Sequence, residues 1–276
     1  MPELPEVENM VLSLKPIINK KINSVFYSNK PLREPVNNNI ANLIDKVRII
    51  AIKRVSKYIV FELSNQLNIL AHAGMSGRFS IVNNNYTQNK HDHIILSFNN
   101  EKLVYTDPRR FGLFLVLNNV EFINCKYLKN IGVDPINENL TAKYLFDKLK
   151  NLKCTIKATL LNQKIIAGIG NIYASEILYC ANILPTKVSG KLSIKNCEDI
   201  VFYTKKVLQK AIKLGGSTLK DYKKANGELG GFQNHFAVYG KENLSCPKCF
   251  VNKNPCSIKK IIQNQRSSFF CSNLLK

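Results

Sequence analysis

Met1-Pro2-Glu3-Leu4-Pro5-Glu6-Val7-Glu8 opens the chain, and apolar residues continue at Met10, Val11, Leu14 and Ile18. That spacing predicts a helix over residues 5–19. Pro5 suits the first turn, and Glu6 and Glu8 suit the positive end of the helix dipole. The same stretch carries chemistry. Removal of the initiator Met would leave Pro2 as a secondary amine at the N-terminus. An α-amino group titrates near pH ~7.7–8.0, so a usable fraction is a free nucleophile at neutral pH, without the deep burial a lysine needs. Attack of that amine on a sugar C1′ gives an iminium ion, which acidifies neighbouring C–H bonds. Glu3 beside the amine and Glu6 one helical turn on provide two carboxylates to move protons.

Outward from this helix the pattern changes. From about 22 to 117 it breaks into short β-rich runs, at 22–27, 47–52, 58–63, 67–71, 78–82, 94–98, 103–106 and 113–117. Asn- and Lys-rich turns separate them, which predicts a β-sandwich or barrel-like core. From about 120 the chain reads as helical, with candidates at 141–150, 154–164, 172–183 and 193–214 punctuated by Gly132, Pro135, Pro185 and Gly215-Gly216. Residues 225–235 read as a Gly- and Asn-rich loop, and two short β-like runs follow 236.

Composition narrows the partner. The 276 residues hold 40 Lys+Arg against 19 Asp+Glu, a formal net charge of +21 that points to a polyanion. A membrane surface is the rival, but no basic amphipathic helix with an aromatic face and no run long enough to span stands out. The acidic, proline-broken start is unlike a secretory signal, so a cytoplasmic location is expected. There the cysteines are not a disulfide framework.

Several stretches then take on meaning together: Lys57, His72-Ala73-Gly74-Met75-Ser76-Gly77, Lys90-His91-Asp92-His93, Asp107-Pro108-Arg109-Arg110-Phe111-Gly112, Gly168-Ile169-Gly170-Asn171-Ile172-Tyr173-Ala174-Ser175-Glu176, Gly215-Gly216-Ser217-Thr218-Leu219-Lys220-Asp221 and Arg266-Ser267-Ser268-Phe269-Phe270-Cys271. In this order, behind this N-terminus, the chain resembles bacterial formamidopyrimidine-DNA glycosylases (8-oxoguanine DNA glycosylases). The resemblance implies an α+β fold: an N-terminal two-layer β-sandwich carrying the N-terminal helix, a helix–two-turn–helix domain, and a C-terminal zinc-ribbon-like β-hairpin. The expected divisions are 1–119, 120–235 and 236–276. It further implies base excision repair of oxidised purines in double-stranded DNA, with strand cleavage by β,δ-elimination through a Schiff base to Pro2. The protein would work as a monomer in a basic cleft, with no nucleotide cofactor.

Residue by residue, the resemblance makes Pro2 the nucleophile, Glu3 the proton shuttle with Glu6 nearby, and Lys57 an aid to elimination. A lysine at a strand start is otherwise ordinarily solvated. Met75 and Phe111 sit at Gly-flanked or Arg-flanked loop tips, where core packing explains them poorly; a side chain wedged into a base stack explains them better. The resemblance places Met75, Arg109 and Phe111 in the space a flipped nucleotide vacates. His91, Arg109 and Lys153 would contact DNA, and Lys157 and Asn171 its phosphates, with Asn171 read as a helix N-cap. Two His near an Asp at 91–93 can also bind a metal, but no third distant ligand is apparent. Tyr173 and Glu176 would lie near the base, and the region from Ser217 to Phe232 would close over it. Arg266 would hold the phosphates flanking the lesion. Leu4 and the Met75-Arg109-Phe111 set favour purine over the pyrimidine-directed relatives. A non-catalytic DNA-binding protein on this scaffold is the rival of another class, and the retained Pro2, Glu3, Glu6 and Lys57 argue against it.

Cys246-Pro247-Lys248-Cys249 is a metal knuckle. A second knuckle begins at Cys271, but Leu274 stands where the family holds its fourth cysteine. Three outcomes stay open: Cys256 supplies the fourth thiolate for one structural zinc, the zinc keeps three protein ligands, or the metal is lost and packing holds the hairpin.

Overall fold

The computed structural model describes residues 1–218, 229–251 and 256–275. They fall into two compact units, Met1–Asn130 with Leu214–Gln233, and Ile131–Lys213 with Asn234–Lys276. Among the described residues no helix is long and apolar enough to cross a membrane.

In the first unit, helix α1 runs Leu4–Leu14 and a 3-10 turn follows at Lys15–Ile17. The single helix expected to 19 therefore ends early, where Pro16 removes the N–H that would continue it. Eight strands come next: β1 Ser24–Tyr27, β2 Ile49–Val55, β3 Tyr58–Leu63, β4 Asn68–His72, β5 Arg78–Asn83, β6 Asp92–Ser97, β7 Glu101–Thr106 and β8 Leu113–Leu117. They form two antiparallel four-stranded sheets, β1-β6-β7-β5 and β2-β3-β4-β8. Apolar side chains from both sheets meet in one core that includes Ile59, Phe61, Ile69, Phe79, Leu96 and Tyr105. Val7, Met10, Val11 and Leu14 lay the apolar stripe of α1 onto that core. Arg54 of β2 ties the polar side of the helix down, with Nε 2.6 Å from the Glu8 carboxylate. Two short helices were not legible in the sequence: α2, Ile40–Ile44, and α3, Asn119–Ile123. At five residues each, neither is long enough to show a period.

The second unit is mostly helical: α4 Ala142–Leu149, α5 Ile156–Leu160, α6 Asn171–Cys180, α7 Ile194–Lys213 and α8 Pro247–Val251. Cys197, Ile200, Thr204, Val207, Leu208 and Ala211 form the buried stripe of α7 at helical spacing. Thr141 and Thr155 cap α4 and α5, each side chain accepting a backbone N–H three residues on. Strands β9, Ile258–Gln263, and β10, Arg266–Cys271, make an antiparallel hairpin with Arg266 opposite Gln263. Asn264 and Gln265 link them with φ of 48° and 59°, the left-handed pair that a tight two-residue hairpin turn demands.

Candidate active site and metal centre

The start of α1 is held by its own sequence. Glu3 is the extended residue before the helix, and its N–H donates to Glu6 Oε2 at 2.9 Å. Ser217 donates its N–H and its hydroxyl to Glu6 Oε1, at 2.7 and 3.0 Å. Gly216 makes that approach possible: its φ is 75°, and a Cβ there would lie 3.0 Å from Glu6 Oε1. Pro2, Glu3 and Glu6 are all buried, and Met1 is half exposed. Burial lowers the Met1 amine below its usual pKa; Glu3 and Glu6 oppose that, while Lys57 and Arg109 add to it. Glu3, Glu6, Lys57 and Arg109 thus all act on the Met1 amine.

Lys57 is buried rather than solvated, at 7% exposure. It sits in the Ser56-Lys57 turn between β2 and β3, where Ser56 has φ 57°. Arg54 fixes this turn too, donating to the Ser56 carbonyl at 3.2 Å. One guanidinium therefore holds both α1 and the Lys57 turn.

Met75 and Phe111 are exposed at 45% and 47% on two adjoining tips. Glycine packing brings the tips together: Gly74 has φ 64°, and a Cβ there would come within 2.6 Å of the Phe111–Gly112 backbone. Arg109 lies over the Phe111 ring, 4.7 Å from its centroid. Beneath them Asp107, fully buried, accepts from Ser76 Oγ at 2.6 Å, Gly112 N–H at 2.8 Å, Tyr105 hydroxyl at 3.1 Å and Arg109 N–H at 3.3 Å. Arg33, unremarkable in the sequence, grips the Phe111 carbonyl from the other side at 3.1 and 2.8 Å.

The His91–His93 segment has no metal geometry. Asp92 accepts from Tyr86, Asn89 and Thr106, and His93 is engaged by Ser28 and the Asp107 carbonyl. His91 is half-buried, with its carbonyl taken by the Asp107 N–H. Burial pushes His93 down, and pushes His72 down to about 3 with help from Arg33, Lys57 and the terminal amine. His72 is therefore a neutral ring whose Nδ1 accepts from Gly74 N–H at 2.8 Å.

In the second unit, Lys157 departs from the expected direct contact. It is 1% exposed, and its ammonium donates to the Ser267 carbonyl at 2.7 Å and the Ser268 hydroxyl at 2.8 Å. Asn171 is not the cap of α6. Gly170 is, and Asn171 is the first residue inside, its amide donating to the same Ser267 carbonyl at 3.0 Å. Both side chains thus grip the residue after Arg266, which is itself exposed, as is Lys153. Tyr173 is a fully buried core residue. Glu176 is buried too, and accepts the N–H groups of Ala237, Val238 and Tyr239 at 2.8–2.9 Å, a role that no local pattern around it signals. Leu219, Lys220 and Asp221, and residues 225–228 of the expected loop at 225–235, lie outside the described residues; Phe232–His235 form a 3-10 turn.

The cysteines bear on the three outcomes left open. Sγ atoms of Cys246, Cys249, Cys256 and Cys271 all lie within 4.8 Å of one another. Cys271 Sγ is 3.4 Å from Cys249 Sγ and 3.3 Å from Cys256 Sγ. A tetrahedron of sulfurs around zinc at ~2.3 Å has edges of about 3.8 Å, so the donor set fits such an ion with little movement. The Cys256 carbonyl accepts the Cys246 N–H at 2.9 Å, which brings the replacement thiol back beside the first knuckle. Leu274 packs against the cluster as a hydrophobe. Burial raises the Cys246 thiol, but hydrogen bonds led by the Tyr179 hydroxyl outweigh it and hold Cys246 at about 7. Lys248 locks the knuckle to the end of α6, donating to the carbonyls of Tyr179 and Cys180 at 2.9 and 3.1 Å.

The family model of the formamidopyrimidine-DNA glycosylase N-terminal domain matches residues 1–114, and that of the formamidopyrimidine-DNA glycosylase H2TH domain matches 131–223. A formamidopyrimidine-DNA glycosylase of Wolbachia pipientis subsp. Culex pipiens is 43% identical over 99% of this chain and 98% of its own. A Lactococcus lactis FPG mutant in complex with Fapy-dG-containing DNA superposes with a TM-score of 0.90 at 31% identity, covering 99% of each chain. The Lactococcus lactis Fpg bound to abasic-site DNA superposes at 0.88, again at 31% identity, over 99% of this chain and 98% of the other.

Proposed function

The chain belongs to the formamidopyrimidine-DNA glycosylase family, and from that premise we propose that it is a bifunctional DNA glycosylase and abasic-site lyase acting on oxidised purines in duplex DNA. The observation that carries this reading is the set of buried charged side chains at the start of the chain, Glu3, Glu6 and Lys57, whose charges, with that of Arg109, are felt at the Met1 nitrogen beside Pro2. The amine of Pro2, freed by loss of Met1, forms a bond to C1′ as the glycosidic bond breaks, and the base leaves with a proton. Glu3 lies closest to the amine in sequence and moves protons between it and the sugar. Glu6, held by Ser217 and the Glu3 N–H, fixes the helix start that aims the amine. The iminium then lets the C2′ proton leave and the 3′ phosphate depart, and a second elimination releases the 5′ phosphate. Lys57 supports these departures with a cation at the amine.

Met75 and Phe111 fill the gap left by the extruded nucleotide, an exchange that offsets unstacking costs of a few kcal/mol, roughly. Arg109, His91 and Lys153 bind the DNA, and Arg266 takes the phosphates flanking the lesion. Lys157 and Asn171 serve by positioning Arg266 through Ser267. Residues 1–119 hold the reacting groups, 120–235 the backbone grip and 236–276 the metal hairpin. One zinc, bound by Cys246, Cys249, Cys256 and Cys271, stiffens that hairpin and supplies no reacting group. The protein acts as a cytoplasmic monomer.

Borohydride trapping tests the reading. Incubation with an 8-oxoguanine duplex and borohydride should give a covalent adduct that disappears in Pro2→Gly with Met1 retained. Binding without any adduct overturns it in favour of a non-catalytic DNA-binding protein, and a strong preference for thymine glycol overturns the purine assignment.

A further inference from the structure

We infer that Arg33 is a positioning residue that fixes the Phe111 tip for insertion into the base stack. The inference rests on the glycosylase reading, in which Phe111 fills the vacated space. The tip needs holding. Phe111 follows Arg110, which has φ 58°, a left-handed conformation that a β-carbon disfavours. It projects 47% exposed, so core packing alone does not set its direction.

Arg33 fixes the peptide on either side of the Phe111 carbonyl carbon. Its Nε and one terminal nitrogen both donate to the Phe111 carbonyl, at 3.1 and 2.8 Å. Its backbone N–H donates to the Gly112 carbonyl at 2.9 Å. The same terminal nitrogen is 3.3 Å from His72 Nδ1, on the strand that leads into the Met75 tip. Its charge and a hydrogen bond also act on the Tyr58 hydroxyl. Held at about 3, the His72 ring stays neutral at working pH, and its Nδ1, which accepts from the Gly74 N–H at 2.8 Å, is shared with the longer approach of Arg33. The fork therefore joins both tips, from the side opposite Asp107.

The residue itself is well anchored. Leu32 and Val36 are buried in the sandwich core on either side of it. Glu34 accepts from the Tyr127 hydroxyl at 2.5 Å and from the Lys126 ammonium at 2.6 Å. Arg33 thus reaches the tip from a strap fastened at three points. A planar guanidinium can serve one carbonyl with two donors and still turn a third to a ring nitrogen; an ammonium cannot hold that plane.

The test compares Arg33→Ala and Arg33→Lys in the full-length protein under single-turnover conditions. Excision of 8-oxoguanine should slow by about ten-fold in both, the scale expected when hydrogen bonds from a charged donor are removed. Strand cutting at a preformed abasic site, where no base has to be unstacked, should stay within about two-fold of the wild type. In a Phe111→Ala background, Arg33→Ala should add no further slowing. The salt dependence of binding should keep its wild-type slope. Equal losses on both substrates, additivity with Phe111→Ala, full activity in Arg33→Lys, or a slope reduced by about one unit would each overturn the inference. Absence of any excision by the wild type would instead sink the glycosylase reading on which it rests.

Discussion

Ser217 and Glu6 stand 211 positions apart in sequence, and the serine spends both its N–H and its hydroxyl on one carboxylate oxygen of the glutamate, at 2.7 and 3.0 Å. The other oxygen takes the Glu3 N–H. This carboxylate is therefore the joint between the first turn of α1 and the segment after α7. A carboxylate with donors at both oxygens is fixed in direction.

Ser217→Ala should accordingly weaken the alignment without abolishing it. A hydrogen bond to a charged acceptor contributes ~1.5–3 kcal/mol. One donor remains at the same oxygen, so the low end applies, and the rate of adduct formation should fall about ten-fold. Glu6→Gln should fall further, because its amide nitrogen meets a donor on one side or the other. An unchanged trapping rate in Ser217→Ala, with the protein folded, would remove Ser217 from the account.

The pH profile follows from the charges on the terminal amine. At the Met1 amine burial lowers the pKa first, Glu3 and Glu6 raise it, and Lys57 and Arg109 lower it, and the Pro2 amine exposed one residue on should feel charges of the same signs. Only the unprotonated amine attacks, so trapping rises as pH passes upward through that pKa. Lys57→Met removes a lowering influence, so the rising limb should move to higher pH. Glu3→Gln removes a raising influence and should move it to lower pH, even as the maximum rate drops. Measuring trapping rate against pH for both variants checks the two opposite signs; shifts in one common direction would contradict the assignment.

Much of this site was legible because local chemistry wrote it. Eight strand positions, five of the helices and the residues of both exposed tips follow from alternation, helical period and glycine spacing. What stayed hidden depends on partners far along the chain. Nothing near Arg33 announces that its guanidinium will meet Phe111 78 positions on. Lys157 looks like a surface cation at helix spacing, and only the hairpin's return to within 2.7 Å of it shows where the ammonium goes. Cys256 could not be placed by spacing, because what sets it beside the other thiols is the hydrogen bond from the Cys246 N–H to its carbonyl. Short helices such as α2 and α3 lack the length to display a period.

Asp107 offers a sharper test of the tips. Its two oxygens accept four donors from Ser76, Tyr105, Arg109 and Gly112. In Asp107→Asn one of those oxygens becomes an NH2 and faces donors. Leaving buried polar groups unsatisfied costs ~1–3 kcal/mol each, so we expect a loss of about 2–4 kcal/mol by denaturant unfolding. Excision should suffer more than binding, because both tips hang from this carboxylate. A variant as stable as the wild type would show that the hub carries no such energy.

Phe111 and Arg109 touch each other yet should fail differently. Phe111→Ala removes an apolar wedge and should slow excision while leaving the salt dependence of DNA binding as it was. Arg109→Ala removes a cation and should flatten that dependence by about one unit of slope. Titrations of a lesion duplex at a series of salt concentrations separate the two; the same slope change in both would deny the division of labour.

Cys256→Ser tests the metal centre at its one departure from the family pattern. Structural zinc sites supply ~10–16 kcal/mol from about four ligands, so losing one thiolate should weaken zinc by roughly two orders of magnitude or more. Competition with a chromophoric chelator reads that directly, without reference to activity. Leu274→Cys added to the same variant puts a thiol where relatives of this chain carry theirs, and it should recover part of the affinity, since Leu274 already packs against the cluster. The consequence for DNA follows from β10: Cys271 ends the strand that Arg266 begins. With the metal gone, that strand loses its fixed end, Arg266 stops holding its phosphate, and strand cutting should decline more than base release. Zinc affinity unaltered by Cys256→Ser would mean that the ion is held by Cys246, Cys249 and Cys271 alone, and the relocated ligand would have to be abandoned.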